Sequence, residues 1–283
     1  MRAIATLALL SAVCLIGCGT DSTQPAAKDE VAVFGYLYVD ETVGDSNAVY
    51  VTRTRPIDVV FDPVEAAVVG AMVLLRKEGA AAPDTLGMIA PGRYANPAVV
   101  IAPLTTYNLT IQIAGRPPIT ATTRTPNRIT MLREPRVLPG VMHHASIPDS
   151  FPIVFSCPDP QQIFLGDIYC LESWQEARYI HRFGNEDGPK DYKDYGGDDD
   201  PPRHIFGWFR AKDLDREGAD YRLGWYGDMM AFYGTNAVGL LAIDDNYYNY
   251  LYRDHPELHG GLTGAIGVFG SACRKQYRVK VVQ

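Results

Sequence analysis

The sequence predicts an all-β protein, with an N-terminal β-sandwich followed by a second β-rich domain that contains one short helix. Three observations support this fold class. Runs of strand length recur roughly every ten to fifteen residues, turn-forming residues separate them, and no long segment repeats with the 3.6-residue period of a helix. The runs are rich in β-branched and aromatic residues, which favour strands. This combination is typical of a β-sandwich.

Residues 1–17 have the pattern of a lipoprotein signal peptide. Arg2 gives a positive start, and an apolar run extends from Ala3 to Ile16. A membrane-spanning helix needs about 20 apolar residues, so a cleaved signal is favoured. The order Leu15-Ile16-Gly17-Cys18 resembles a lipobox, in which the cysteine thiol is joined to diacylglycerol and becomes the mature N-terminus. An ordinary secretory signal with a chance cysteine is the alternative.

Lipidation of Cys18 predicts an outer-membrane protein on either the periplasmic or the cell-surface face. Gly19 stands where an aspartate often retains lipoproteins in the inner membrane, so the outer membrane is favoured. Two or three acyl chains, at about 0.8 kcal/mol per buried methylene, would hold the protein on the bilayer. Residues 18–30 are polar and are predicted to form a flexible tether.

A β-sandwich is predicted over residues 31–126. Its clearest strand is Tyr107–Ile113, where apolar and polar residues alternate strictly, as they do in a strand with one buried face. Gly115-Arg116-Pro117-Pro118 supplies the following turn. The predicted strands are Val31–Asp40, Asn47–Arg53, Ala71–Leu75, Tyr107–Ile113 and Ile119–Thr125.

A Pro-rich junction is predicted over residues 127–148, followed by a C-terminal β-rich domain over residues 149–283. Strand-like runs begin at Ile153 and Ile163, and Arg278–Val282 alternates as a closing strand. Asp244 or Asp245 is predicted to cap a short helix. The helix would place Tyr247, Tyr250 and Leu251 on one face.

Composition limits the function classes. The chain has 283 residues, a net charge of -7 and no block of Lys and Arg. A mildly acidic chain of this kind lacks the electrostatic pattern of a nucleic-acid-binding protein, so nucleic acid is not an expected partner.

The cysteines favour one disulfide. In an exported protein we expect Cys157 to pair with Cys170, because Pro158-Asp159-Pro160 predicts a turn that brings two strand-like runs together. Such a bridge would stabilise the fold by about 3 kcal/mol in the chain-entropy model. The alternative is that Cys157, Cys170 and Cys273 are all buried free thiols.

No motif for catalysis, a cofactor or a metal is recognised, so we predict a non-catalytic protein without a cofactor. Asp198, Asp199 and Asp200 form the densest carboxylate run, but their spacing differs from that of the EF-hand loop. We interpret this run as a solvated loop, with a calcium site as the alternative. His255 and His259 would share a helical face only if Pro256 did not end the preceding helix.

Aromatic density is the feature that favours binding. Exposed Tyr and Trp side chains suit glycan stacking or protein contact, whereas buried ones fill a core. Core packing is the favoured interpretation of these aromatics, with a binding surface as the alternative. The candidates for a binding surface are Trp225, Tyr226, Tyr247, Tyr248 and Tyr250.

Four short segments occur in order in the N-terminal block: Pro63-Val64, Gly70–Leu75, Gly92-Arg93-Tyr94 and Tyr107-Asn108-Leu109. Together they resemble the immunoglobulin-like or prealbumin-like modules of bacterial surface proteins. The resemblance implies that the sandwich over residues 31–126 is immunoglobulin-like.

The C-terminal block contains Asn246–Leu251, Gly260-Gly261-Leu262 and Gly267-Val268-Phe269-Gly270. With the lipobox and the N-terminal sandwich, these segments distantly resemble, over about residues 31–282, a family of bacterial lipoproteins catalogued as domain of unknown function 4249. The resemblance implies a lipid-anchored outer-membrane lipoprotein that acts as a binding or accessory module beside a TonB-dependent transporter. A structural or adhesive envelope protein and an envelope hydrolase with an unrecognised site are the alternatives.

Overall fold

The computed structural model describes residues 29–56, 59–139, 151–173, 175–178, 204–224 and 232–282. Within these residues the chain forms eighteen strands, one α-helix and short 3-10 turns, so the predicted all-β class with one short helix is confirmed. No helix of the described residues is long and apolar enough to cross a membrane.

Ten strands lie within residues 31–139. They are β1 (Val31–Tyr38), β2 (Thr42–Val43), β3 (Val49–Arg53), β4 (Met72–Lys77), β5 (Asp84–Ala90), β6 (Arg93–Val100), β7 (Thr106–Gln112), β8 (Ile119–Arg124), β9 (Thr130–Arg133) and β10 (Val137–Pro139). All five strands predicted for this block are present, with ends shifted by a few residues. The strands β9 and β10 lie inside the segment predicted as a junction.

Eight further strands and the helix lie within residues 153–282. They are β11 (Ile153–Ser156), β12 (Ile163–Cys170), β13 (His204–Arg210), β14 (Asp215–Glu217), β15 (Asp220–Leu223), β16 (Gly234–Ile243), α1 (Asp245–Tyr252), β17 (Leu262–Thr263) and β18 (Ile266–Val282).

Two sheets contain these strands. A large curled sheet runs in the order β13, β12, β16, β18, β1, β3, β6, β5, β4, β7, β8, β17, while β10 also pairs with β18 and β2 with β6. A small sheet has the order β14, β15, β11, β9. The strand β18 lies between β16, which is antiparallel to it, and β1, which is parallel to it. The large sheet therefore includes strands from both predicted domains.

The alternation of side chains along the strands produces two main cores. In β7, Tyr107, Leu109 and Ile111 are buried, which places one face of the strand in the N-terminal core with residues of β1, β3 and β4. A second core forms where Phe155 of β11 meets Phe164 of β12, with ring centroids 5.1 Å apart. This second core joins the small sheet to one face of the large sheet.

The predicted disulfide between Cys157 and Cys170 is wrong, because no bond joins these two cysteines in the structure. The strands β11 and β12 do not form a hairpin: β11 pairs with β9 and β15, whereas β12 pairs with β13 and β16. Cys170 lies at the far end of β12. At about 3.3 Å per residue, Cys170 lies about 23 Å from Ile163, the residue at which β12 begins.

The glycine-rich segment of the family resemblance lies where β18 meets β1. Gly267 pairs with Val33 and has a φ of +110°, a conformation that L side chains rarely adopt. A Cβ at Gly267 would lie 2.2 Å from the carbonyl oxygen of Val33. Glycine at this position therefore permits the close parallel approach of the two strands.

Candidate binding site

The helix α1 begins at a cap that the sequence predicts. Asp244 is the N-cap residue, and its side chain accepts a hydrogen bond of 3.0 Å from the backbone N–H of Tyr247. The same oxygen accepts a 3.0 Å hydrogen bond from the N–H of Ser271 in β18. One carboxylate thus fixes the start of the helix against the large sheet.

The other oxygen of Asp244 connects the helix to the N-terminal block. The Thr123 hydroxyl of β8 lies 2.5 Å from it and 2.8 Å from the Ser271 hydroxyl. Burial raises the pKa of Asp244 to about 6, although these hydrogen bonds favour the charged form. A polar cleft of about 460 Å³ opens beside this group, with Arg124 and Gln161 in its lining.

Aromatic contacts hold α1 on the sheet. The rings of Tyr247 and Tyr36 are 4.4 Å apart, and those of Tyr250 and Phe34 are 6.1 Å apart. Burial raises the pKa of Tyr247 and of Tyr36. These tyrosines are half-buried and act mainly in packing.

The sheet surface beside α1 carries exposed aromatic side chains. Phe206 and Trp208 of β13 are 55% and 41% exposed, and Tyr169 of β12 is 43% exposed. Trp208 contacts Tyr252 of α1 at 6.0 Å between ring centroids. We call this surface the aromatic face; it consists of Tyr169, His204, Phe206, Trp208 and Tyr252.

The strand register explains why these rings share one side. His204, Phe206 and Trp208 are spaced by two residues, so their side chains project from the same face of β13. Tyr169 pairs directly with His204, and their rings are 5.8 Å apart. The rings of His204 and Phe206 are 5.7 Å apart. The result is a row of rings along β13, the strand at one edge of the large sheet.

Two hollows adjoin the aromatic face, and together we call them the groove. A polar hollow of about 520 Å³ is lined by Asp167, Tyr169, Leu171, His204, Ala237, Gln276, Tyr277 and Arg278. An apolar hollow of about 210 Å³ is lined by Leu165, Asp167, His204, Phe206, Leu241, Tyr247 and Leu251. The hollows share Asp167 and His204.

A hydrogen-bonded pair marks the centre of the groove. The ring nitrogen Nε2 of His204 contacts Oδ1 of Asp167. Gly239 pairs with Asp167 across the β12–β16 ladder, and a Cβ at Gly239 would lie 3.2 Å from Oδ2 of that carboxylate. The glycine therefore leaves space for the Asp167 side chain on the sheet surface.

The structure separates the predicted site residues into two groups. Tyr247, Tyr248 and Tyr250 lie on α1, where Tyr248 contacts Trp208 at 5.0 Å and Tyr250 packs on β1. The others lie outside the described residues. They are Cys18, Trp225, Tyr226 and the calcium candidates Asp198, Asp199 and Asp200. Among the described residues, no group of three His, Cys, Asp or Glu side chains is placed to hold a metal.

The sequence analysis missed Tyr169, Asp167, His204 and Phe206 as components of the site. Within His204–Arg210 the hydrophobicity of the sequence alternates only weakly. Phe206 and Phe209 are both aromatic but lie on opposite faces of the strand, and only Phe209 is buried. The pairing of β12 with β13 is what assembles the groove.

Comparison with known proteins does not assign the chain to a family. No family model matches it, and no curated protein matches it.

Proposed function

We propose that this chain is a non-catalytic binding or accessory module of the cell envelope, held on the outer membrane by a lipid on Cys18. The aromatic face is its binding surface. The partner that the family resemblance implies is an outer-membrane receptor of the TonB-dependent type.

The observation that carries the proposal is the row of exposed rings. Phe206 and Trp208 expose about half of their surface although they neighbour the packed helix α1. Large aromatic side chains concentrate binding energy at interfaces, because they bury much area and lose few rotamers. A solvent-exposed row of them beside a groove is therefore suited to recognition.

The test is affinity purification from mildly solubilised native membranes. We expect the wild type to retain a stoichiometric envelope partner, and the double variant Phe206→Ala/Trp208→Ala to retain at least about tenfold less of it, since interface aromatics commonly contribute 2 kcal/mol or more. Tyr50→Ala is the matched control, because Tyr50 is a 39% exposed aromatic residue on β3. Cys18→Ala tests the anchor and should move the protein to the soluble fraction.

Two results would contradict the proposal. One is equal partner recovery by wild type and the double variant; the other is loss of recovery with Tyr50→Ala to the same extent. Circular dichroism and thermal unfolding of each variant confirm that the fold is retained before capture is compared.

A further inference from the structure

The groove combines two kinds of chemistry. Tyr169 lines the polar hollow and Phe206 lines the apolar hollow, on opposite sides of the His204–Asp167 pair, and both side chains are exposed. Hydrogen-bonding side chains stand beside the rings. These are the Asp167 carboxylate, the Gln276 amide and the Arg278 guanidinium.

The hydrogen-bonding groups are complementary to vicinal hydroxyls. A carboxylate accepts from two hydroxyls, a guanidinium donates to two acceptors in one plane, and a primary amide does both. Gln276 and Arg278 are two residues apart on β18, so they project from the same face of the sheet. Ala237 pairs with Arg278 and Gly239 with Gln276, and these small residues leave the floor between the polar groups and β12 open.

The charges in the groove favour a neutral ligand. Its lining contains one carboxylate, Asp167, and one guanidinium, Arg278. An anionic ligand would meet Asp167 near the centre, and a cationic ligand would meet Arg278 at one end. A neutral molecule with hydroxyls on its edges and C–H groups on its faces satisfies both the polar groups and the electron-rich ring faces.

We propose that the groove binds a neutral oligosaccharide, with sugar rings stacked on Tyr169 and Phe206 and their hydroxyls bonded to Asp167, Gln276 and Arg278. This inference rests on the proposed function of the aromatic face as a binding surface, and it adds to the protein partner a sugar ligand held in the groove. In this arrangement the Oδ2 atom of Asp167, which faces Gly239, accepts a hydrogen bond from a sugar hydroxyl. The Oδ1 atom of Asp167 keeps its contact with Nε2 of His204.

The test is isothermal titration of the full-length protein in detergent with four probes. Cellohexaose, xylohexaose and maltohexaose are neutral, and hexagalacturonate is an anionic control. We expect at least one neutral hexasaccharide to bind and hexagalacturonate to bind at least tenfold more weakly. Tyr169→Ala and Phe206→Ala should each weaken the neutral ligand about tenfold, and Asp167→Asn should weaken it as well. Tyr50→Ala, on the distant strand β3, should leave the affinity unchanged.

Three outcomes would overturn the oligosaccharide assignment: no neutral hexasaccharide binds, hexagalacturonate binds as tightly, or binding survives Tyr169→Ala and Phe206→Ala unchanged. The membrane capture experiment separates this failure from failure of the proposed function. If Phe206→Ala/Trp208→Ala still abolishes partner capture while no sugar binds, the aromatic face recognises a protein. If neither sugar binding nor partner capture depends on the aromatic face, both proposals are wrong.

Discussion

At the scale of single residues, Asp244 has more structural roles than any other polar group described above. It caps α1, contacts Thr123 of β8 and accepts from Ser271 of β18. A carboxylate in this enclosed position is costly to ionise, which is why its pKa rises from 3.8 to about 6. The adjacent Asp245 carboxylate adds to the rise.

This shift predicts a pH dependence of stability. Between about pH 4 and pH 6 the folded protein binds a proton at Asp244 that the unfolded chain has released. The free energy of unfolding contributed by this group therefore falls as the pH rises through that window, and it levels off above it. Asp244→Asn cannot titrate, so we expect the stability difference, wild type minus variant, to decrease from pH 4 to pH 7. Urea unfolding at a series of pH values measures this difference.

The matched control is Asp245→Asn, which removes the exposed neighbouring carboxylate but keeps the cap. Its stability minus that of Asp244→Asn should also decrease from pH 4 to pH 7, by slightly less than the wild-type difference does, because Asp245 adds to the rise in the pKa of Asp244. A wild-type-minus-Asp244→Asn difference that is flat or rises with pH would contradict the role assigned to Asp244.

The sequence predicted the residue-scale features only in part. The capping position could be predicted from the sequence, because an aspartate directly before an aromatic-rich run is a local pattern. The contact between Asp167 and His204 could not be predicted, because these residues are 37 positions apart and meet only through strand register. The pairing of Cys157 with Cys170 was wrong for the same reason, since local turn residues do not reveal which strands become neighbours.

At the scale of elements, β18 determines the arrangement of the molecule. It is the longest strand described, with 17 residues, and it pairs with β16 on one side and β1 on the other. The sequence indicated a closing strand at Arg278–Val282 and a glycine-rich segment near Gly267, but as separate features. Parallel pairing between the two ends of a chain leaves no local periodic signal.

Substitution at the β1–β18 contact tests this arrangement. Gly267→Ala forces a Cβ towards the Val33 carbonyl and strains a positive φ, so we expect it to lower the free energy of unfolding by about 3 kcal/mol or more. Gly79→Ala is the control: its φ of +78° is also strained, but nothing lies within 4 Å of the new Cβ. That variant should lose about 1 kcal/mol. Equal losses in urea unfolding would argue against a close β1–β18 approach in solution.

At the scale of the whole molecule, one large sheet has two faces with different surroundings. One face packs against the small sheet through Phe155 and Phe164, and the opposite face carries α1 and the groove. The all-β class followed from composition and alternation alone. The groove did not, because it depends on the order of β12, β13 and β16 within the sheet.

The lipid anchor and the aromatic face are two parts of one proposal. A tether of residues 18–30 would leave the folded part free to orient on the membrane, so that the aromatic face can reach a neighbouring envelope molecule. Effective concentration beside a membrane partner would then strengthen a contact of modest intrinsic affinity.

The measurement that tests the central claim most directly is photocrosslinking in intact cells. A photoreactive p-benzoyl-phenylalanine is placed on the aromatic face by Phe206→p-benzoyl-phenylalanine, and on a distant exposed aromatic position by Tyr50→p-benzoyl-phenylalanine. We predict a discrete covalent adduct from position 206 and none from position 50. Equal adducts from both positions, or an adduct from position 50 alone, would contradict the assignment of the aromatic face as the binding surface.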